Sequence, residues 1–125
     1  MIYGIGCDVL DLRRIERIIK NSKTEARFLN KVFTKKEIEF APDNNKLLYN
    51  YYAKRFAAKE AFSKAVGTGI GRHVHFQDLE VMRKESGMPY FSKLPKLNFI
   101  YKAHLSLSDD RNIAMAYVVV ELTNS

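Results

Sequence analysis

Residues 46–66 read KLLYNYYAKRFAAKEAFSKAV, and Gly67 follows them. This stretch predicts the longest helix of the chain, because its apolar side chains recur at helical spacing and glycine commonly caps a helix just after its end. The core face predicted by a helical wheel carries Leu47, Leu48, Tyr51, Ala58, Phe62, Ala65 and Val66. The face nearly opposite carries Ala53, Ala57, Glu60, Ala61 and, one turn further on, Lys64.

The rest of the chain predicts an α+β fold around that helix. Residues 2–10 alternate as a strand does, with Tyr3, Ile5, Cys7 and Val9 on one face and Gly4, Gly6 and Asp8 on the other. Helices are also predicted over 11–20 and, after the capping box Thr34–Glu37, as far as Phe40. Further strands are predicted at 78–84, 90–91, 103–108 and 113–121. Helices gathered in the first half and strands in the second favour the α+β class.

Length and composition predict one domain, residues 1–125. The 125 residues are 46% hydrophobic and 28% charged, as in a globular protein, and no repeat or linker divides them. A single cysteine excludes an internal disulfide. No apolar run approaches the roughly 20 residues of a membrane span, and the N-terminus lacks the features of a signal peptide. A cytoplasmic protein without a membrane partner is expected.

The charge of the chain predicts a negatively charged partner. Lysine and arginine number 21 against 14 aspartate and glutamate, a net charge of +7. Nucleic acid, an acidic protein and a polyphosphate-bearing small molecule all remain candidates. The basic residues concentrate on the first predicted helix at Arg13, Arg14, Arg17 and Lys20. This stripe is predicted to be a docking face for an acidic partner, with a solvated helix face as the plainer alternative.

Two carboxylates predict a metal site. Glycine inside a strand often marks the close approach of a ligand or of another backbone, so the strand face that carries Asp8 is open to either. Plain alternatives are a helix cap for Asp8 and a surface ion pair between Glu60 and Lys64. A bare carboxylate on a strand and another on an alanine-lined helix suit Mg²⁺, which takes one or two protein carboxylates and fills its other positions with water and phosphate oxygens. Lys64 would then balance charge on a phosphoryl group.

The histidines and glycines offer weaker signals. His73 and His75 have a spacing that puts both rings on one strand face, and His104 could complete a zinc site. Ser106, in a strand of alternating small polar residues, is predicted to line a pocket wall. The glycines of 67–71 follow a helix rather than precede one, so they form no phosphate-binding loop of the P-loop type and are either a cap or a flexible pocket wall.

Taken together, the motifs resemble one known family. IGCDV at 5–9 resembles the first motif of the 4′-phosphopantetheinyl transferases, and FAAKEAFSKA at 56–65 closely resembles the second. GTGIG at 67–71, the GMP turn at 87–89 and HLSLS at 104–108 fit the branch of holo-[acyl-carrier-protein] synthases. The similarity runs over nearly the whole chain, and the order and spacing of the motifs carry it.

The resemblance implies a fold, a reaction and a site. It implies an antiparallel sheet wrapped around the long central helix, and transfer of 4′-phosphopantetheine from coenzyme A to a serine of apo acyl carrier protein, in fatty acid biosynthesis. Asp8 and Glu60 would bind Mg²⁺ and act in catalysis with Lys64. Residues implied to bind coenzyme A are Arg55, Lys64, Gly67, Gly69, Pro89, His104 and Ser106. Either Glu60 or a water at the metal would take the serine proton, and the sequence leaves that choice open.

One position departs from the pattern of the family. Many relatives carry histidine where this chain has Asp109, so a role for that histidine is not carried over.

Two further expectations concern function and assembly. A basic nucleic-acid-binding module is the alternative function, although the chain has no recognisable nucleic-acid motif. The strand 113–121 is apolar on both faces, which predicts self-association unless the segment 93–102 covers the second face. The resemblance implies a homotrimer with active sites between subunits.

Overall fold

A computed structural model describes residues 1–124 and contains five strands, four α-helices and one 3₁₀ turn. In chain order they are β1 (Ile2–Asp11), α1 (Leu12–Lys20), α2 (Glu25–Val32), α3 (Lys35–Glu39), α4 (Asn45–Val66), the 3₁₀ turn (Phe76–Asp78), β2 (Glu80–Arg83), β3 (Pro89–Lys93), β4 (Tyr101–Asp110) and β5 (Ile113–Leu122). None of the helices described is both long and apolar enough to cross a membrane.

The strands form two antiparallel sheets. The larger has the order β1-β5-β4, and β2 and β3 form a separate hairpin. The side chains that β5 turns toward α4 are fully buried, whereas their neighbours along the strand are exposed, so α4 covers one face of the larger sheet. The α+β prediction and the central place of the long helix are confirmed.

The ends of α4 follow from local chemistry. Asn44 precedes the helix, and its Oδ1 accepts a hydrogen bond of 3.1 Å from the Leu47 N–H. Gly67 ends the helix in the left-handed conformation, at φ 84°, as predicted. The predicted single core face is wrong, because α4 is buried around most of its circumference. Leu47 is 59% exposed, whereas Ala53, Ala57 and Ala61 have no exposed surface.

The glycines of β1 allow this strand to lie directly against the backbone of α4. A Cβ atom at Gly4 would come within 2.0 Å of the Ala65 carbonyl oxygen, and one at Gly6 within 2.0 Å of the Ala61 carbonyl oxygen. Of the two explanations that the sequence offered for these glycines, the structure favours the approach of another backbone. The predicted alternation of β1 is confirmed from Gly4 onward, since Gly6 is buried while Ile5 is exposed, but the strand register shifts between Ile2 and Gly4.

The sequence missed one helix, and it misplaced the ends of several strands, since β3 and β4 are longer than predicted and β2 is shorter. Helix α2 has eight residues, too few to be stable alone in water, and it is held by tertiary contacts. Val32 at its end is buried, and the Thr24 hydroxyl at its start donates a hydrogen bond of 2.7 Å to the Ile18 carbonyl oxygen. The predicted strand 78–84 begins later, at Glu80, because Asp78 closes the 3₁₀ turn.

The outer face of the larger sheet, turned away from α4, remains apolar and exposed. Its large exposed side chains include Ile5, Val9, Ile113, Met115 and Tyr117, between 39% and 58% exposed. Segment 94–100 packs elsewhere, with Leu94 and Leu97 against the core and Phe99 stacked on Tyr3 at a ring separation of 4.5 Å. The segment therefore leaves Ile5, Val9 and the outward side chains of β5 exposed.

Candidate active site

The edge strand β1 and helix α4 bring the predicted catalytic side chains together. Lys64 Nζ lies 2.9 Å from Asp8 Oδ1 and donates a second hydrogen bond, of 3.0 Å, to the Cys7 carbonyl oxygen. The side chain of Lys64 is 52% exposed and that of Asp8 is 17% exposed. The close contact of β1 with α4 at Gly6, two residues before Asp8, sets this geometry. An ammonium and a carboxylate thus meet where a ligand can reach them.

Glu60 completes the cluster with a second carboxylate. Partial burial raises the pKa of Glu60, and the nearby Asp8 carboxylate raises it further. Lys64 and Arg14 act in the opposite direction, but they do not cancel the increase. Glu60 therefore responds to the charges of Asp8, Lys64 and Arg14. A cation brought to the carboxylates would relieve their mutual repulsion.

The oxygen donors of this cluster fit Mg²⁺ better than zinc. Asp8 and Glu60 offer hard carboxylate oxygens, and Mg²⁺ is commonly held by one or two such groups. Residues 1–124 contain no group of three or more histidine, cysteine, aspartate or glutamate side chains placed to hold a metal. The zinc alternative built on His73, His75 and His104 is therefore wrong. A two-carboxylate Mg²⁺ site is compatible with the cluster and stays a prediction.

Helix α1 brings its basic residues close to the cluster. Asp11 caps the helix by accepting a hydrogen bond from the Arg13 N–H, and it also pairs with the Arg13 guanidinium at 2.7 Å. That guanidinium lowers the pKa of Asp11 to about 2. Arg14 lies over the Phe56 ring, 5.7 Å from its centre, and acts on Glu60. It is therefore the predicted docking residue nearest to the carboxylates.

Two of the predicted docking residues, Arg13 and Lys20, border a groove. Lys20 pairs with Glu16 at 3.5 Å, and Arg17 is exposed. A groove of about 350 Å³ runs between α1 and the start of α4. Its lining residues are Leu12, Arg13, Glu16, Lys20, Asn45, Lys46, Tyr49 and Asn112. The groove brings three cations from two helices to one surface.

Apart from Lys64, which contacts Asp8, the residues expected to bind coenzyme A do not gather around the carboxylates. Arg55 is buried, lies over the Tyr51 ring at 3.6 Å, and donates to the Val81 carbonyl oxygen. His104 and Ser106 lie on the outer sheet face, where His104 Nε2 is 2.9 Å from Glu121 Oε1. The remaining positions are Gly67 and Gly69, in the exposed loop after α4, and Pro89, at the start of β3. One copy of the chain therefore does not assemble them into a single pocket with Asp8 and Glu60.

Two ion pairs of α4 escaped the sequence reasoning. Lys59 and Glu37 are paired at 2.7 Å with no exposed side-chain surface. The capping box marked Glu37 only as the partner of Thr34, and nothing in the local pattern linked it to Lys59, 22 residues away. Lys54 lies 3.1 Å from Asp109, the position at which the chain departs from many relatives. Asp109 thus has a partner of its own on α4.

Comparisons with known proteins agree with this arrangement. A model of the 4′-phosphopantetheinyl transferase superfamily matches residues 4–118. The chain is 48% identical to the holo-[acyl-carrier-protein] synthase of Wolbachia pipientis subsp. Culex pipiens, over 96% of the chain and 98% of the relative. It is 45% identical to the synthase of Vesicomyosocius okutanii, over 99% of the chain and all of the relative.

A solved structure shows the same fold. The holo-(acyl-carrier-protein) synthase of Bacillus anthracis, in complex with CoA (3′,5′-ADP), superposes with a TM-score of 0.85 at 38% identity. The match covers 98% of this chain and 99% of that one. These relatives give no support to a nucleic-acid-binding module. The chain belongs to the 4′-phosphopantetheinyl transferase superfamily, among the holo-[acyl-carrier-protein] synthases.

Proposed function

We propose that the chain transfers 4′-phosphopantetheine from coenzyme A to a serine of apo acyl carrier protein, releasing adenosine 3′,5′-bisphosphate. The observation that carries this proposal is the cluster of Asp8, Glu60 and Lys64 where β1 meets α4, in a chain of this family. Its relatives are named for this reaction, and one of them has been solved with CoA (3′,5′-ADP). The reaction would place the chain in fatty acid biosynthesis, in the cytoplasm.

The reaction exchanges one P–O bond for another. The serine oxygen attacks the phosphorus that carries pantetheine, and the bond from that phosphorus to the adenosine bisphosphate oxygen breaks. The serine proton passes to Glu60, directly or through a water. Neighbouring Asp8 and Lys64 shift the pKa of Glu60 in opposite directions, so its proton affinity depends on the charge of the whole cluster. Lys64 stays protonated, since its hydrogen bond to Asp8 raises its pKa, and it stabilises negative charge on the leaving phosphate.

The proposal includes Mg²⁺ at Asp8 and Glu60. When bound, the ion would neutralise charge on the diphosphate oxygens. The support from this chain is a pair of hard oxygen donors, in which burial and then the Asp8 charge raise the pKa of Glu60. Lys64 lies close enough to exchange its contact with Asp8 for one with phosphate, because it is half exposed and its side chain is long.

An acidic acyl carrier protein would dock on α1. The helix presents Arg14 and Arg17 on its exposed side, and Arg14 also reaches the electrostatic neighbourhood of Glu60. The groove beside α1 adds Lys46 from the start of α4. A partner held there would have its serine close to the cluster, and the opposite charges would speed association.

We also propose that the active unit is a homotrimer with its sites between subunits. Two observations support assembly: the apolar outer sheet face is exposed, and His104 and Ser106 lie on that face, away from Asp8 and Glu60. A neighbouring copy could bring these residues to another subunit's carboxylates. Tyr117→Glu is expected to give an inactive monomer or aggregate. Light scattering near the 14.5 kDa monomer mass for a fully active wild type would contradict the trimer.

Mass spectrometry tests the reaction directly. Apo acyl carrier protein incubated with the chain, coenzyme A and Mg²⁺ is expected to gain about 340 Da, the mass that P–O transfer of phosphopantetheine adds. The gain should disappear with Asp8→Asn and when a chelator removes Mg²⁺. An unchanged carrier mass with the folded wild-type chain would contradict the proposed function, and a gain that survives the chelator would contradict the Mg²⁺ site alone.

A further inference from the structure

We infer that the buried pair of Lys59 and Glu37 positions helix α4, so that Glu60 and Lys64 face Asp8. Lys59 stands directly beside Glu60 in the second motif. The structure separates them, because Lys59 has no exposed surface and points away from the cluster. Lys59 is thus a positioning residue, an inference that rests on the proposed function of Glu60.

Every polar group of the pair is committed within the chain. Lys59 Nζ donates to Glu37 Oε1 at 2.7 Å, to the Val32 carbonyl oxygen at 2.7 Å and to the Phe76 carbonyl oxygen at 3.2 Å. Three donors of an ammonium therefore have three acceptors. Substrate could reach Lys59 only by breaking these contacts, so a direct catalytic role is excluded.

Glu37 links α4, through Lys59, to the start of α3 and to β2. Its Oε1 also accepts a hydrogen bond of 2.8 Å from the Thr34 N–H, and its Oε2 accepts one of 2.8 Å from the Val81 N–H. The pair thereby joins α4 to the end of α2, the start of α3, the 3₁₀ turn and β2.

The hydrogen bonds of Lys59 and Glu37 limit the rotation of α4 about its axis, because hydrogen bonds are directional. Residues 59 and 60 are about 100° apart around the helix axis, so a turn of the helix that moved Lys59 would swing Glu60 by the same angle. On another side of α4, Gly6 lets β1 approach the helix backbone, and the hydrogen bonds between the two elements come from the half-exposed Lys64, which donates to Asp8 and to the Cys7 carbonyl oxygen. The glycine contact sets the distance between strand and helix, whereas the buried pair constrains the angle of the helix through contacts that solvent does not reach.

Stability alone does not account for the pair. A buried ion pair loses the hydration of both charges, and apolar replacements of similar volume are often as stable or more so. An apolar pair would accept several rotations of α4, whereas the hydrogen bonds of Lys59 and Glu37 accept one. We therefore assign to the pair the role of orienting the Glu60 carboxylate.

The test removes the charges while keeping the shape. The double variant Glu37→Gln/Lys59→Met leaves no unpaired buried charge, and it is expected to fold with kcat lowered at least about tenfold and KM for coenzyme A changed less than about twofold. Glu37→Asp keeps both charges but shortens the reach, and should slow turnover less. Hydrogen exchange of the amides of 60–66 should be faster in both variants, a readout independent of activity.

A stability control separates positioning from a structural role. Phe91→Leu removes core contacts but no hydrogen bond to α4, and should lower the melting temperature while kcat stays near the wild-type value at temperatures where the protein is folded. The inference is overturned if Phe91→Leu lowers kcat as much as the double variant does, or if the charge-altered variants keep wild-type kcat and exchange. Should the wild-type chain transfer nothing, the proposed function fails and the exchange data alone decide this inference.

Discussion

Helix α4 carries three lysine–carboxylate pairs, at Lys54, Lys59 and Lys64, and the pairs at Lys59 and Lys64 differ most in the exposure of the lysine. Lys64 pairs with Asp8 at 2.9 Å, and Lys59 pairs with Glu37 at 2.7 Å. The first pair is partly exposed, at 52% and 17%, whereas the second has no exposed surface. The ion pair of Lys64 with Asp8 thus lies where solvent reaches it, and the ion pair of Lys59 with Glu37 lies in the interior.

The difference in burial decides what each pair can do. Burial lowers the pKa of Lys59, and the Glu37 carboxylate acts in the opposite direction. The positive charge of Lys59 therefore depends on its buried partners. The hydrogen bond to Asp8 instead raises the pKa of Lys64, which solvent also reaches. A lysine in contact with solvent can exchange its carboxylate for a phosphate, while a lysine enclosed by carbonyl groups holds the structure in place.

The same substitution at both lysines gives the largest expected contrast. Lys59→Met leaves Glu37 buried without a counter-charge, and breaking a buried pair in this way costs about 3–5 kcal/mol of unfolding free energy. Lys64→Met removes an exposed pair and should cost less than about 1 kcal/mol. Urea denaturation of both variants measures the contrast, and equal losses would mean that burial does not separate the pairs.

Gly6→Ala breaks the close contact that places Asp8 beside α4. The new Cβ atom would lie 2.0 Å from the Ala61 carbonyl oxygen, so the strand and helix must move apart. A loss of about 3 kcal/mol of unfolding free energy is expected, at the upper end of overpacking effects. Cys7→Ala, at the neighbouring exposed position, is the control and should change stability by no more than about 0.5 kcal/mol. A stable Gly6→Ala protein would contradict the contact.

Removing a carboxylate at the exposed cluster should affect activity and spare stability. Asp8→Asn and Glu60→Gln keep the side-chain shape but lose charge, and each is expected to lower kcat/KM about 100-fold or more, near 2.7 kcal/mol of transition-state stabilisation. Exposed Asp43→Asn is the matched control and should stay fully active. Near-normal turnover of either variant at saturating Mg²⁺ would disprove the two-carboxylate site.

Charge reversal on α1 should have a smaller effect, on the partner alone. Arg14→Glu with Arg17→Glu is expected to raise KM for acyl carrier protein several-fold, with less change for coenzyme A, because docking depends on opposite charges. Wild-type activity should fall with added salt for the same reason. The control Lys35→Glu with Lys84→Glu changes the net charge equally at exposed sites off α1. Equal effects of both double variants would point to net charge rather than to a docking face.

The smallest expected effect is on the pH dependence of unfolding in Mg²⁺-free buffer. The pKa of Glu60 is raised above its ordinary value of 4.5, so the folded state holds the proton more tightly than the unfolded state. Glu60 therefore favours folding below pH 4.5, and this contribution is lost as pH rises through the raised pKa. Glu60→Gln should gain stability relative to wild type between pH 4.5 and neutrality, measured by melting temperature. A difference that does not change with pH would contradict the shift.

Much of the local structure could be predicted from the sequence because short-range rules govern it. Alternation located β1, helical spacing with Gly67 located α4, and the capping box located α3. Helix α2 escaped, since eight residues of mixed polarity become a helix only when their neighbours bury them. The sequence singled out Asp8, Glu60 and Lys64 by residue type and position. That these side chains lie close together follows only from the packing of β1 on α4.

The sequence by itself determined the positions of β1 and α4, the excess of positive charge, and the presence of a carboxylate on each of these two elements. Only the tertiary structure decided that Gly6 lies against the backbone of α4, that Lys59 is enclosed while Lys64 is open, and that His104 lies on the face opposite Asp8. Periodicity and capping depend on neighbours within a few residues. Burial and ion pairing depend on which distant elements pack together, so the difference between a structural lysine and an available one appears only when the chain is folded.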